Sequence, residues 1–227
     1  LGDVYKRQDI TGLQTFVPFN TLSDWSWHSF PLPEGMRAED YRPVVVETHG
    51  KKIAYELRNP DQPELSEWLT KNPHRYNLGR IGFRLLREDG TEAREIDLGN
   101  AWQEIDLWTG VVYSRFELNR KEVKVRTVCH PDKDMIGVSI ESELLNDGNM
   151  SIYLDFPYPD GRYFKHYIGR YDTISGHTST FEKLAPNSVR IARTMDDTHY
   201  YATLDWTGPA TFSRESENCL LYTSDAA

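Results

Sequence analysis

The sequence has no excess of positive charge and no long apolar run. Its 26 Lys and Arg are outnumbered by 35 Asp and Glu, which gives a formal net charge of −9. Nucleic acids require a basic surface that neutralises their phosphates, so the composition argues against a nucleic-acid partner. No apolar run approaches the ~20 residues of a membrane-spanning helix, so no membrane span is predicted. Internal repeats at a solenoid or propeller period are also missing.

Cysteine is scarce, and one of the two cysteines lies in a terminal segment that we interpret as foreign. Residues 1–8 and 219–227 match translations of the two strands of a transposon-based sequencing adaptor, and chance rarely produces a matched pair. We therefore expect residues 9–218 to be a native piece of a longer protein, long enough for one large β domain. Cys129 is then alone and is predicted to face inward at a strand end.

Alternating apolar and polar residues are abundant, most clearly between Gln103 and Tyr158. Four successive segments show this period of two, which is typical of antiparallel strands with one buried and one wet face. They are Val111 to Leu118, Val123 to Thr127, Ile136 to Ile140, and Met150 to Phe156. Asn119-Arg120-Lys121 and Asn146-Asp147-Gly148 have turn composition and are predicted to join them.

The flanking regions extend the β pattern and add one short helix. A hairpin is predicted around His49-Gly50-Lys51 and another around Asp89-Gly90. Asp61-Gln62-Pro63-Glu64 has the form of a capping box, and Asn72-Pro73 is predicted to end the helix that follows. Alternation returns between Thr178 and Trp206. About a dozen strands and one helix predict a mainly β fold, a two-sheet antiparallel β-sandwich.

Several motifs in the chain resemble the N-terminal part of bacterial six-hairpin glycosidase-like proteins, relatives of the family that holds maltose and kojibiose phosphorylases and acid trehalases. The motifs are Asp9-Ile-Thr-Gly-Leu-Gln-Thr15, Ser23-Asp-Trp-Ser-Trp-His-Ser-Phe-Pro31, Asn72-Pro-His-Arg-Tyr-Asn-Leu-Gly-Arg-Ile-Gly82, Ile105-Asp-Leu-Trp-Thr-Gly110 and Phe156-Pro-Tyr-Pro159. The resemblance runs across most of residues 9–218. It implies a galactose mutarotase-like supersandwich that precedes an (α/α)6-barrel catalytic domain.

This resemblance implies that the catalytic groups lie outside the chain. Glycoside cleavage with inversion needs an acid for the leaving oxygen and a carboxylate for water, and phosphorolysis replaces the latter with phosphate. In the family these groups belong to the barrel, so no catalytic residue, metal or cofactor is predicted here. The expected partners are the missing barrel of the same chain and an oligo- or disaccharide. A bacterial periplasmic or secreted location is favoured.

Trp25, Trp27 and His28 are the best candidates for contact with a sugar. They fall in Trp25 to Pro31, which is predicted to be a loop because Asn, Asp, Ser and Pro surround it. Tryptophan faces stack on the apolar C–H face of a pyranose, and a histidine can bind its hydroxyls. The alternative is that the tryptophans close the end of the sandwich or contact the barrel.

His74 and Arg75 form a second candidate at the predicted end of the helix. Arg75 could hold a sugar or phosphate oxygen in a bidentate manner. Cationic side chains also favour a helix C-terminus for electrostatic reasons alone, so a structural role stays open.

Three functions remain compatible with the sequence. The first is a non-catalytic N-terminal domain of a glycoside hydrolase or phosphorylase, which packs on the barrel and lines the sugar site. The second is a stand-alone carbohydrate-binding sandwich, which needs an exposed aromatic platform. The third is a mutarotase-type sugar epimerase, which needs His and Glu together on an open sheet face, and fold likeness alone does not establish it.

Overall fold

The computed structural model describes residues 19–55, 58–159, 169–172 and 175–224. The strands are β1 (Phe19–His28), β2 (Val44–Thr48), β3 (Lys51–Tyr55), β4 (His74–Leu85), β5 (Gly99–Asp106), β6 (Val111–Leu118), β7 (Lys121–Cys129), β8 (Ile136–Glu141), β9 (Met150–Asp155), β10 (His177–Ala185), β11 (Ser188–Met195), β12 (Thr198–Asp205), β13 (Ala210–Ser216) and β14 (Cys219–Ser224). One α-helix is described, α1 (Pro63–Lys71), with 3-10 turns at Ala38–Asp40, Glu95–Asp97 and Glu143–Leu145. The predicted mainly β class is confirmed.

The strands form several antiparallel sheets. A five-stranded sheet has the order β1-β4-β9-β14-β13, and a four-stranded sheet has the order β5-β6-β7-β8. A three-stranded sheet contains β10-β11-β12, and β2 pairs with β3 alone. The predicted hairpin of β2 and β3 is confirmed, because His49 and Gly50 both adopt the positive φ that a tight hairpin turn requires.

The chain divides into two compact units. The first unit contains Leu1–Thr21, Leu78–Phe156 and Ile174–Ala227, and the second contains Leu22–Asn77 and Pro157–Thr173. The apolar clusters described next belong to the first unit. The tryptophans and histidines predicted as site residues belong to the second.

Two apolar clusters lie on the same face of β9, because Met150, Ile152, Leu154 and Phe156 alternate with outward side chains. Cluster 1 is built from the four-stranded sheet and from β4 and β9; its buried members are Phe83, Leu85, Ala93, Phe116, Leu118, Val123, Val125, Leu144 and Met150. Cluster 2 is built around the three-stranded sheet; its buried members are Phe156, Val189 and Ile191. One layer of this sandwich is therefore continuous, and the layer opposite it consists of two sheets.

The fourth alternating segment does not pair with the third, although the sequence predicted that a turn joins them. β8 ends in the four-stranded sheet, whereas β9 lies between β4 and β14 in the five-stranded sheet. The prediction that one face is wet is wrong for β9, because Ser151 and Asp155 on its second face are also buried. A central strand has neighbours on both edges, and the long side chains of those neighbours cover its polar face.

Other local predictions are corrected. The turn at Asp89-Gly90 forms, but it is closed by a single bridge between Leu86 and Glu92 rather than by a second strand. The helix begins after Gln62 instead of Asp61, and no side chain caps it. The Gln62 amide is instead engaged elsewhere: its Nε2 donates to the Asp40 carbonyl and its Oε1 accepts from the Arg42 N–H.

The structure corrects the prediction for Cys129 and describes a strand at Cys219. Cys129 is exposed at the end of β7, where the inward pattern of that strand stops after Thr127. Cys219 begins β14, which pairs with β9 and with β13. Residues 219–224 therefore form a strand, although their sequence is interpreted as adaptor-derived; their origin stays a prediction. The strand predicted within Asp9 to Phe19 lies outside the described residues except for Phe19.

Candidate functional site

The segment that carries the two candidate tryptophans is a strand with a local bend, so the predicted loop is wrong for Trp25 to His28, although residues 29–31 lie outside any strand. β1 continues through Trp25 to His28. The Ser23 hydroxyl accepts hydrogen bonds from the N–H of Trp25 at 3.2 Å and of Ser26 at 3.0 Å. Three residues of extended strand span about 10 Å, so the Ser26 contact requires a bend. Such bends redirect side chains.

Trp25 and Trp27 follow this bend and are both half exposed. Their exposed fractions are 47% and 44%, whereas Ser23 is 1% exposed. Burial of a tryptophan contributes strongly to stability. Two exposed tryptophans only two residues apart therefore form an unusual apolar surface. About half of the surface of each predicted tryptophan is therefore open to solvent.

His28 lies in an aromatic cluster of the second unit. Its ring is 4.4 Å from Phe30 and 5.5 Å from Tyr158, both in edge-on geometry, and 6.3 Å from Tyr76. Tyr76 is only 1% exposed. Edge-to-face packing of this kind fixes ring orientation. His28 is thus held by packing, less exposed than the tryptophan beside it.

The chain that follows β1 is attached to the end of α1. The Phe30 N–H donates to Asn72 Oδ1 at 2.7 Å, and the Trp68 indole N–H donates to the Phe30 carbonyl at 2.8 Å. Asn72 Nδ2 in turn donates to the Trp68 carbonyl. The predicted helix end at Asn72-Pro73 is confirmed, and its side chains position the chain next to His28.

His74 and Arg75 open β4 rather than ending the helix. The His74 ring is 6.3 Å from Phe30, so the structure brings His28 and His74 to the same aromatic cluster. Arg75 is exposed and alternates with the buried Tyr76. The structure therefore supports a packing role for the two histidines and leaves Arg75 in solvent.

A buried arginine in the first unit was missed by the sequence analysis. Arg193 is 1% exposed, and its guanidinium lies 4.8 Å from the Phe156 ring. Its nitrogens contact four polar groups: Tyr200 Oη, Ser179 Oγ, Asn218 Oδ1 and His177 Nδ1. No carboxylate of the described residues forms an ion pair with it. The alternation along β11 could have indicated its burial, because the inward face of that strand consists of Val189, Ile191, Arg193 and Met195.

An ion pair joins β4 to β9 on the outer face of the five-stranded sheet. The Arg80 Nη2 lies 2.7 Å from Asp155 Oδ2, and the guanidinium is also 5.4 Å from the Tyr153 ring. Burial raises the pKa of the Asp155 carboxyl, and Arg80 offsets part of that rise. Burial likewise raises the pKa of the Tyr153 hydroxyl. Arg80 and Asp155 are far apart in sequence but directly opposite each other in the sheet, so the pair is a cross-strand link.

Among the described residues, no helix is long and apolar enough to cross a membrane. Within the same part of the chain, no group of three or more His, Cys, Asp or Glu could hold a metal ion. No family model matches the chain, and no curated protein matches it.

Proposed function

We propose that the chain is a non-catalytic β-sandwich module of a carbohydrate-active protein and that it contacts sugar through Trp25 and Trp27. The observation that carries this proposal is the exposure of both indoles directly after the Ser23 bend. Apolar planes flanked by hydrogen-bonding groups are suited to pyranose rings, whose faces are apolar and whose rims are hydroxylated. Ser29 and Arg75, both exposed, provide hydrogen-bonding groups in the same unit.

The carboxyl groups support a non-catalytic role. Hydrolysis of a glycoside needs two carboxyl groups that flank the bond. Asp155, the most buried carboxyl group described, is held by Arg80. Glu141 and Glu143, at the end of β8 and in the following 3-10 turn, are exposed to water. We therefore assign the chemistry, on the family resemblance, to a helical barrel of the same protein. Recovery of the downstream reading frame tests this assignment, and a frame that encodes no helical barrel contradicts it.

A stand-alone carbohydrate-binding sandwich is the second candidate. The exposed tryptophan pair favours it, because such a module needs an aromatic platform that functions without another domain. The two candidates differ in one measurable property: a stand-alone module binds sugar by itself, whereas a domain that only lines a shared site needs its barrel.

Calorimetric titration with neutral di- and oligosaccharides tests the contact, on the 227-residue chain for a stand-alone module and on the protein that includes its barrel for a shared site. The double variant Trp25→Ala/Trp27→Ala is expected to lose binding. Trp108→Ala is the matched control, because Trp108 is 96% exposed and lies elsewhere, after β5. Equal affinities of the double variant and the control would contradict the proposal.

A further inference from the structure

The outer face of the four-stranded sheet is a second surface with exposed aromatic rings. Its inner face packs into cluster 1 through Phe116, Val123 and Val125, so the alternate residues point away from the core. Those residues define what we call the β5–β8 face: Trp102, Glu104, Tyr113, Arg115, Lys124, Arg126, Ser139 and Glu141. Apart from the partly exposed Tyr113, every one of them is exposed.

Each aromatic ring on this face has a charged group beside it. Trp102 is 47% exposed and directly opposite Arg115, and Tyr113 is directly opposite Glu104. The Arg126 guanidinium lies 5.6 Å from the centre of the Tyr113 ring. The strand register slips just before Trp102, with Asn100 at a φ of 49°, which is the mark of a bulge.

The face carries charges of both signs: Arg115, Lys124 and Arg126 lie on the two central strands, and Glu122 lies on the same face. Arg115 and Lys124 both lie next to Glu122, at 3.7 Å and 2.9 Å. Glu104 and Glu141 add further carboxylates at the two edge strands. A polyanion would meet these carboxylates and a net charge of −9. A protein partner would have to desolvate Lys124 and the glutamates, which are residue types that interface cores avoid. A neutral polyol fits both signs, because each hydroxyl both donates and accepts.

We propose that the β5–β8 face binds a neutral oligosaccharide, with one pyranose stacked on Trp102 and Arg115 and Glu104 bonded to its hydroxyls. Tyr113, fixed by Arg126, lies diagonally across the sheet from Trp102 and contacts the next sugar unit. This surface shares no residue with the Trp25 and Trp27 site, so either can exist without the other.

Titration of the ¹⁵N-labelled chain with maltohexaose and with cellohexaose tests the proposal. We expect one of these to shift the Trp102 indole N–H resonance, assigned by its absence from Trp102→Phe. Trp102→Ala should weaken that binding about tenfold, and Tyr113→Ala should weaken it less. Trp108→Ala, which removes an exposed indole outside the face, should leave it unchanged.

Several outcomes overturn the proposal. One is that neither hexasaccharide shifts the Trp102 resonance at millimolar concentration in the wild-type chain, a measurement that no folding defect of a variant can mask. A second is that polygalacturonate binds this face more tightly than the neutral chains. Loss of sugar binding only in Trp25→Ala/Trp27→Ala supports the proposed function and refutes this second surface. Loss of sugar binding only in Trp102→Ala supports the second surface and refutes the contact through Trp25 and Trp27.

Discussion

Clusters 1 and 2 lie on the same face of β9 but are stabilised differently. Cluster 1 consists of apolar side chains such as Val123, Val125 and Leu144, none of which is more than 1% exposed. Cluster 2 has fewer buried apolar residues and lies next to Arg193, whose polar contacts extend through Tyr200 to the Leu78 carbonyl. Burial of apolar area is non-directional, whereas hydrogen bonds need each partner in place.

This difference changes what a substitution does in each cluster. In cluster 1, deletion of a methyl group lowers the free energy of unfolding by the transfer free energy of that group and by the cost of the cavity left behind. Relaxation of the neighbouring side chains reduces the cavity cost. In the Arg193 network a deleted group leaves the other members without partners in a buried site, which costs more than the bond itself contributed. We therefore expect cluster 2 to tolerate changes least.

Arg193→Ala is expected to have the largest effect. It removes a buried side chain and its hydrogen bonds to Ser179, Asn218 and His177, although Asn218 Oδ1 keeps the Ser179 hydroxyl as a donor. The free energy of unfolding should therefore fall by about 3 to 5 kcal/mol. Arg190→Ala on the same strand is the control: that side chain is 44% exposed, and its loss should cost under about 1 kcal/mol. Urea unfolding measures both, and equal losses would contradict a structural network.

Gly79→Ala is expected to destabilise cluster 2 by about 2 to 4 kcal/mol. Gly79 has a φ of 140°, and a Cβ there would lie 2.9 Å from the Phe156 ring that packs on Arg193. Gly82 on the same strand is the comparison, because its Cβ would meet the far end of the Tyr153 side chain, which can shift, and its φ is ordinary. In thermal unfolding, Gly79→Ala should have a lower melting temperature than Gly82→Ala. The reverse order would refute the strain argument.

Thr127→Val is expected to stabilise the chain, by about 1 kcal/mol. Thr127 lies on the inward face of β7 with Val123 and Val125, and its buried Oγ1 has no hydrogen-bond partner within the described part of the chain. Replacing the hydroxyl by a methyl group keeps the shape and removes the unsatisfied atom. Thr127→Ser is the control, since it keeps the hydroxyl and should destabilise. A destabilised Thr127→Val variant would show that the hydroxyl is satisfied in solution.

The parts of the fold that follow from local pattern were predictable. Val123 and Val125 were placed inward from their alternation with Lys124 and Arg126, because a strand presents alternate residues to the core. The hairpin turn at His49-Gly50 was predictable for a similar local reason. Pairing between distant strands was not, since β4 meets β9 across a long stretch of chain and alternation says nothing about which strand lies beside which.

The candidate site was predicted by residue type but not by conformation. Trp25 and Trp27 were chosen for their planar faces, and both are exposed. The surrounding Ser, Asp and Pro residues indicated a loop, yet β1 includes both indoles and bends through a serine hydroxyl. Arg193 was missed for the opposite reason: its charge suggested a wet face, although its register with Ile191 placed it inside.

Alkylation of the two cysteines tests the strand next to cluster 2. Burial raises the pKa of the Cys219 thiol from 9.0 to about 12, so its thiolate fraction at pH 8 falls about a thousandfold. Cys129 is exposed, so iodoacetamide should label it first in the native chain and both cysteines in urea. Because the raised pKa favours the protonated thiol in the folded state, Cys219 should contribute stability that is complete below pH 9 and lost as the pH rises toward 12. A Cys129→Ser variant isolates the Cys219 rate, and rapid native labelling of that variant would place residues 219–224 outside the sheet.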